Sequence, residues 1–261
     1  MQEGENMNNT IYWFSGTGNS LYAARLLAEA LGDTELVSMA VSAPSGPVGG
    51  AGCRIGFVFP SYYGDLPRFV RAFAEGLDIL PETDLFVLVT MGAIGRGSVK
   101  AMEELLAAKG RSLRYGAGVR MPANYILKYD PALFGAKSER RVQSKLTRAE
   151  RQIRRIYEDI AGGKRQIKKN SIMAKTLYTN IPALDAGFTV TKKCTGCGLC
   201  ERVCPVGNIE LREGRPTWLR HCEHCVACIS WCPASAIENG QETENRTRYR
   251  NPYIKASELE I

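Results

Sequence analysis

The stretch CTGCGLCERVCP, residues 194–205, is answered by CEHCVACISWCP, residues 222–233. Both copies read Cys-x2-Cys-x2-Cys-x3-Cys-Pro, and together they hold eight of the nine cysteines. A cubane [4Fe–4S] cluster needs this kind of supply: three thiolates from one tight loop and a fourth from a distance. Two intervening residues let a turning backbone aim successive thiols at adjacent irons. Gly196 and Gly198 permit the close approach and positive φ that such wrapping favours. Pro205 and Pro233 fix φ and turn the chain away from its own loop. Zinc sites also use Cys-x2-Cys, but as two pairs rather than three cysteines and a fourth. Disulfides suit secreted chains, and the polar start Met1 to Asn9 lacks signal-peptide character.

The doubled run resembles the ligand motif of bacterial two-cluster ferredoxins, where the fourth cysteine of each run serves the other cluster. That resemblance assigns Cys194, Cys197, Cys200 and Cys232 to one cluster. It assigns Cys222, Cys225, Cys228 and Cys204 to the other. Eight thiolates supply every ligand, so His221 and His224 are expected outside the first coordination shell or exposed. Trp231 is expected as apolar shielding beside Cys232. The segment 191–238 is too short to fold on an apolar core alone, so its clusters are expected to be its core.

Upstream, short apolar runs alternate with helical periodicity. Asn9 to Phe14, Thr34 to Met39, Ile55 to Phe59, Leu85 to Val89 and Tyr115 to Val119 read as strands. Ser20 to Leu31, Pro67 to Gly76 and Gly97 to Lys109 read as helices. Apolar strands separated by helices predict an α/β, doubly wound parallel sheet covered on both faces. Ligands on such sheets bind at the carboxyl ends of the strands.

Three segments fall at those ends. Ser15, Gly16, Thr17, Gly18, Asn19 and Ser20 offer hydroxyls, glycines and a helix N-terminus, which suits a phosphate group without a cation. No lysine follows, so this is not a Walker loop, and the spacing is not that of a dinucleotide fingerprint. Pro60, Ser61, Tyr62, Tyr63 and Gly64 place aromatics in a Gly/Pro loop, suited to stacking on a flat ring. Neighbouring residues point apart, so only one tyrosine is expected to stack. Thr90, Met91, Gly92, Ala93 and Gly95 let backbone approach a ring edge.

These loops, in this order, resemble flavodoxin, a five-stranded fold of order 2-1-3-4-5. The likeness implies that Ser15 to Ser20 hold the phosphate of FMN and that the other two loops border its isoalloxazine. With the cysteine segment behind, the chain resembles the EFR-type ferrodoxins, flavodoxin–ferredoxin fusions of mostly anaerobic bacteria. The segment after strand five, Met121 to Tyr125, is also similar, which implies that Asn124 reaches the flavin. The third loop lacks the aromatic that many small flavodoxins carry, so one flavin face is expected to stay open. Asp65, Tyr62 and Tyr63 are the nearest acid–base candidates, each as easily structural, and no catalytic residue is assigned.

The implied organisation is a flavodoxin-like domain over 1–165, a linker over 166–190, a small α+β bacterial-ferredoxin domain over 191–238 and a polar tail over 239–261. Whether the tail packs is not decided by its sequence. Cys53, just before an apolar strand, is expected as a buried small hydrophobe. Lys137 to Lys169 carries twelve Lys/Arg against four acids, net +8, with Val142, Leu146, Ala149, Ile153, Ile156 and Ile160 at helical spacing. Its charge is read first as a solvated face, then as a dock for an acidic ferredoxin or oxidoreductase, and last as a nucleic-acid surface. The formal +7 counts cysteines as neutral; two oxidised clusters lower it to about +3. No apolar run reaches the ~20 residues of a membrane helix, and a cytoplasmic location is expected. The implied function is electron transfer between two clusters and FMN. The alternatives are a flavin-dependent reductase of a small molecule and a redox sensor.

Overall fold

The computed structural model describes residues 8–41, 43–92, 96–127, 138–167, 185–240, 243–244 and 246–261. Ala93 and Gly95, and most of the expected linker, lie outside the described residues.

The N-terminal unit runs β1 (Asn8–Trp13), α1 (Asn19–Leu31), β2 (Thr34–Ser38), β3 (Cys53–Pro60), α2 (Arg68–Gly76), β4 (Asp84–Met91), α3 (Arg96–Ala108), β5 (Leu113–Arg120), α4 (Glu139–Ala161) and β6 (Gln166–Ile167). Its sheet is parallel with order β2-β1-β3-β4-β5-β6. This is the flavodoxin-like α/β arrangement with one strand more than expected. Gln166 and Ile167 pair with Tyr115 and Gly116 at the edge, inside the stretch expected to be linker. Two residues are too few to show a period, so the strand left no sequence signal.

Alternation along each strand builds two cores. Ile11 and Trp13 of β1, with Phe86 and Leu88 of β4, face α1 and α4. Tyr12 and Phe14, with Leu85, Val87 and Val89, face α2 and α3. The basic segment forms α4, which buries Leu146, Ala149, Ile153, Ile156 and Ile160. Arg141, Arg148, Arg151, Arg154 and Arg155 stay exposed on its other side.

The C-terminal unit is small and internally repeated. It comprises β7 (Phe188–Val190), α5 (Leu199–Arg202), β8 (Ile209–Arg212), β9 (Arg215–Trp218), α6 (Ala227–Trp231) and β10 (Ile237–Asn239). β7 pairs with β10 and β8 with β9, both antiparallel. Two regions join this unit to the first. Val203, Cys225, Ala227 and Trp231 enter the core under α1 and α4. Ile126 and Leu127, beyond β5, enter the core of the C-terminal unit.

Cys53 opens β3 and is half-buried rather than buried. The expectation fails because the strand's first residue pairs with Asn8 at the rim of the sheet. None of the nine cysteines is in a disulfide.

Candidate cofactor sites at the junction of the two units

The thiol runs wrap as their spacing predicts. Gly196 and Gly198 take left-handed φ of 71° and 74°. A Cβ at Gly196 would lie 2.9 Å from the Gly214 carbonyl oxygen, so this turn requires glycine. The second run has the same backbone at the equivalent positions, His224 and Val226, with φ of 57° and 58°. For a β-branched residue that conformation is strained. Both side chains are buried in the junction.

Cys194, Cys197, Cys200 and Cys232 ring one cavity with Gly196, Gly198 and Leu211. Cys197 is exposed there. Cys204, Cys225 and Cys228 are buried. Cys225 and Cys228 each lie within electrostatic reach of Cys204 and Cys222, and Cys228 also of Cys200; the resemblance to two-cluster ferredoxins makes Cys204, Cys222, Cys225 and Cys228 the second group. Burial pushes the Cys200 thiol up to about 11 and Cys222 up to about 12, with neighbouring thiols adding to the rise. Backbone amides donate to sulfur at equivalent places in the repeat: Asn208 to Cys204 and Ala236 to Cys232, each at 3.2 Å. The amide of His224 adds a third such bond, to Cys222, also at 3.2 Å. Among the described residues, no three Cys, His, Asp or Glu side chains are placed to share a single ion.

A second, polar cavity sits at the carboxyl ends of β1, β3 and β4. Ser15, Gly16, Thr17, Asn19, Ser20, Pro60, Ser61, Tyr62, Thr90, Met91, Gly92 and Asn124 line it, so the three loops singled out in the sequence converge. Ser15, Thr17 and Ser20 are buried hydroxyls. The Gly18 amide donates to Ser15 Oγ at 3.1 Å, and Ser20 Oγ lies 2.7 Å from Thr90 Oγ1. Gly18, at φ 93°, turns the loop into α1. Asn124 Nδ2 donates to Thr17 Oγ1 at 2.8 Å, so it braces the loop as well as lining the cavity. The donor set, with glycine where side chains would intrude, fits a phosphate group.

The tyrosines part, as neighbours must. Tyr62 lines the cavity. Tyr63 takes φ 53° and Gly64 φ 83° in a tight turn closed by reciprocal Tyr62–Asp65 backbone bonds. Tyr63 leaves the cavity for the junction, where its hydroxyl meets Tyr125 at 2.7 Å and the Nδ1 of His224. Asp65 is committed to the turn: its Oδ1 accepts from the Leu66 amide at 2.7 Å and lies 3.9 Å from Arg71. Ser98, which the sequence reading missed, donates to the Asp65 carbonyl at 2.7 Å and lies 2.9 Å from Ser61 Oγ, whose hydroxyl can donate to it, fixing the second loop.

The two sites touch. A Cβ on Gly16 would lie 2.6 Å from the Cys225 carbonyl oxygen, 3.0 Å from Cys225 Cβ and 3.2 Å from the Tyr62 hydroxyl. Trp231 Nε1 donates to the Gly16 carbonyl oxygen at 3.0 Å. Trp231 is therefore buried as expected, yet its polar edge holds the phosphate loop. His224 is buried at the junction, while His221 is exposed and turned to backbone carbonyls of Leu219 and Val206. Arg68 reaches from α2 to the carboxylate of Glu223 and the Cys222 carbonyl.

The tail, undecided from sequence, packs over the phosphate loop. The Asn251 amide donates to the Thr17 carbonyl at 2.9 Å. Tyr253 stacks on Tyr22 with centroids 4.9 Å apart, and Glu258 pairs with Arg25.

Residues 193–237 match the family model of the 4Fe-4S dicluster domain. The chain is 35% identical over 48 residues to the ferredoxin-like protein in the nif region of Trichormus variabilis and of a Nostoc species. That overlap is 18% of this chain and 41% of the relative's length. Among solved structures, it is similar to a putative flavoprotein from Bacteroides eggerthii, at TM-score 0.36 and 18% identity over 59% of this chain and 98% of that one. It is also similar to a putative flavoprotein from Bacteroides uniformis, at TM-score 0.33 and 20% identity over 44% and 91%. The fold assignment stands on the strand order itself. The chain thus joins a flavodoxin-like sheet to a 4Fe-4S ferredoxin-type domain.

Proposed function

We propose that this chain is an electron-transfer protein holding two [4Fe–4S] clusters and one FMN. The contact of Cys225 with Gly16 carries the reading. It brings the backbone carbonyl and Cβ of Cys225, a residue of the second group, against the loop suited to the flavin phosphate. Cubane clusters supply single-electron steps, and flavin joins one-electron to two-electron traffic.

The chain's own groups have separable roles in this reading. Cys194, Cys197, Cys200 and Cys232 hold the outer cluster, and Cys222, Cys225, Cys228 and Cys204 the inner one. The cavity shared by Cys194, Cys197, Cys200 and Cys232 supports the crossed ligation. Ser15 to Ser20 bind phosphate, Tyr62 and the backbone near Thr90 to Gly92 border the ring, and Trp231 closes the junction to water. Exposed Cys197 marks the side where an outside electron carrier approaches. The arginines of α4 favour acidic partners by long-range attraction. The lack of a disulfide among the nine cysteines suits a reducing cytoplasm; among the described residues, no helix is long and apolar enough to cross a membrane. The reductase alternative has less support, because Asp65, the nearest acid, is committed to its turn.

The test is anaerobic purification with iron, sulfide and flavin quantified beside a redox titration. About eight irons and one FMN per chain are expected. Zinc in place of iron, or no flavin uptake, would refute the proposal.

A further inference from the structure

Resting on the flavin reading above, we infer that the C-terminal segment braces the loop of the flavin-phosphate site, with Asn251 and Tyr249 as its positioning residues. Through them flavin retention depends on the iron–sulfur unit.

The phosphate loop is not held by its own sheet alone. Asn19 Oδ1 accepts from the Tyr249 hydroxyl at 2.7 Å and from Asn251 Nδ2 at 3.1 Å. Two donors on one oxygen fix the amide, and its Nδ2 is spent on the Pro122 carbonyl at 3.0 Å. Burial raises the pKa of Tyr249, which keeps its hydroxyl a donor. The backbone of Asn251 holds the loop one step earlier, at Thr17. Around Gly18 the fit is close: an added Cβ would lie 3.0 Å from Cβ of both Asn251 and Ile254. All four polar residues, Thr17, Asn19, Tyr249 and Asn251, are buried.

The same segment is tied to the iron–sulfur unit. Arg248 donates to the Ile229 carbonyl at 3.1 Å and pairs with Glu238 at 2.6 Å. The Ile261 amide donates to the Arg202 carbonyl at 2.9 Å, and Arg202 pairs with Glu260 at 2.7 Å. Ile229 and Arg202 belong to α6 and α5, the helices that carry the third thiols of each run. A unit this small folds on its metal. When it unfolds, the loop loses Trp231 and the tail's anchorage together. The loop's donors are then no longer pre-arranged for phosphate. Linkage is reciprocal, so bound FMN should in turn stabilise the iron–sulfur unit.

The test uses full-length, iron-loaded protein stripped of flavin, with FMN and riboflavin titrated separately by quenching of flavin fluorescence. Asn251→Ala is expected to weaken FMN about tenfold, in keeping with the loss of one or two buried hydrogen bonds. Riboflavin, which has no phosphate, should bind the variant and the wild type equally. Tyr249→Phe should give a smaller loss of the same selectivity. Iron content and the visible cluster spectrum should stay unchanged in both. Equal weakening of FMN and riboflavin, or no change in FMN, overturns the inference while leaving the flavin reading intact. Wild-type protein that takes up no FMN overturns the flavin reading itself.

Discussion

Trp231 Nε1 donates a 3.0 Å hydrogen bond to the Gly16 carbonyl oxygen across 215 positions of sequence. The bond joins the last residue of α6, which carries a thiol of the second group, to the second residue of the phosphate loop. It makes the junction directional as well as apolar. An indole N–H has one donor and one orientation in which the ring also packs.

Gly16→Ala tests how closely the units are pressed. The new methyl would meet the Cys225 carbonyl at 2.6 Å, a backbone atom that cannot swing aside. Overpacking of this kind costs about 1–3 kcal/mol. The variant should show a lower denaturation midpoint and faster proteolysis between the units. A midpoint equal to wild type would mean that the units are not pressed together in solution.

The two left-handed pairs allow a paired experiment. Val226→Gly relieves about 1–2 kcal/mol of backbone strain but gives up about 1.5–3 kcal/mol of burial, so a net loss near ~1 kcal/mol is expected. Gly198→Val introduces the strain at the equivalent place in the first run and should cost about 1–2 kcal/mol. Chemical denaturation of the iron-loaded proteins measures both. A stabilising Val226→Gly would show that the junction contact has little value.

Cys232→Ala separates crossed from uncrossed ligation. Crossed ligation predicts loss of the outer cluster, in the cavity of Cys194, Cys197 and Cys200, although Cys232 lies in the other run. Iron should fall from about eight to about four per chain. Low-temperature EPR of the reduced protein should keep the signal that Cys225→Ala removes. If both variants delete the same signal, the ligation is not crossed.

The exposed arginines of α4 are tested by ionic strength. Electron exchange with an acidic one-electron carrier should slow steeply between about 0.01 and 0.15 M salt as screening shortens the reach of charge. Arg148→Glu combined with Arg155→Glu should lower the low-salt rate about tenfold or more and flatten the salt dependence. A wild-type rate indifferent to salt would reduce this face to a solvated surface.

What could be read in the sequence was whatever repeats or alternates over a short window. The thiol spacing is a local instruction to the backbone, and Gly196 and Gly198 announce its left-handed turns. The central strands β1, β3 and β4 announce themselves because both faces are buried. Gln166 and Ile167 form a strand too short to carry a period. Nothing near Trp231 foretells Gly16, and nothing in the polar tail foretells Asn19, 232 positions from Asn251. Such partners are chosen by the assembled surface. Tyr62 and Tyr63 were legible as a pair with divergent directions, but which one would leave for His224 was settled by the left-handed turn at Tyr63 and Gly64. The second run disguised its likeness to the first, because His224 and Val226 occupy backbone positions where glycine is the usual cue.

Those two side chains break the equivalence of the doubled run. A chimera with its halves exchanged would keep every thiol at its proper spacing and every turn its handedness. It would nevertheless offer Tyr63 and Tyr125 only the bare backbone of Gly196 and Gly198. His224 and Val226 act as an address written on one copy. With Trp231 and Glu223, they set which half of the module faces inward, and hence which end of the molecule is left to meet the outside.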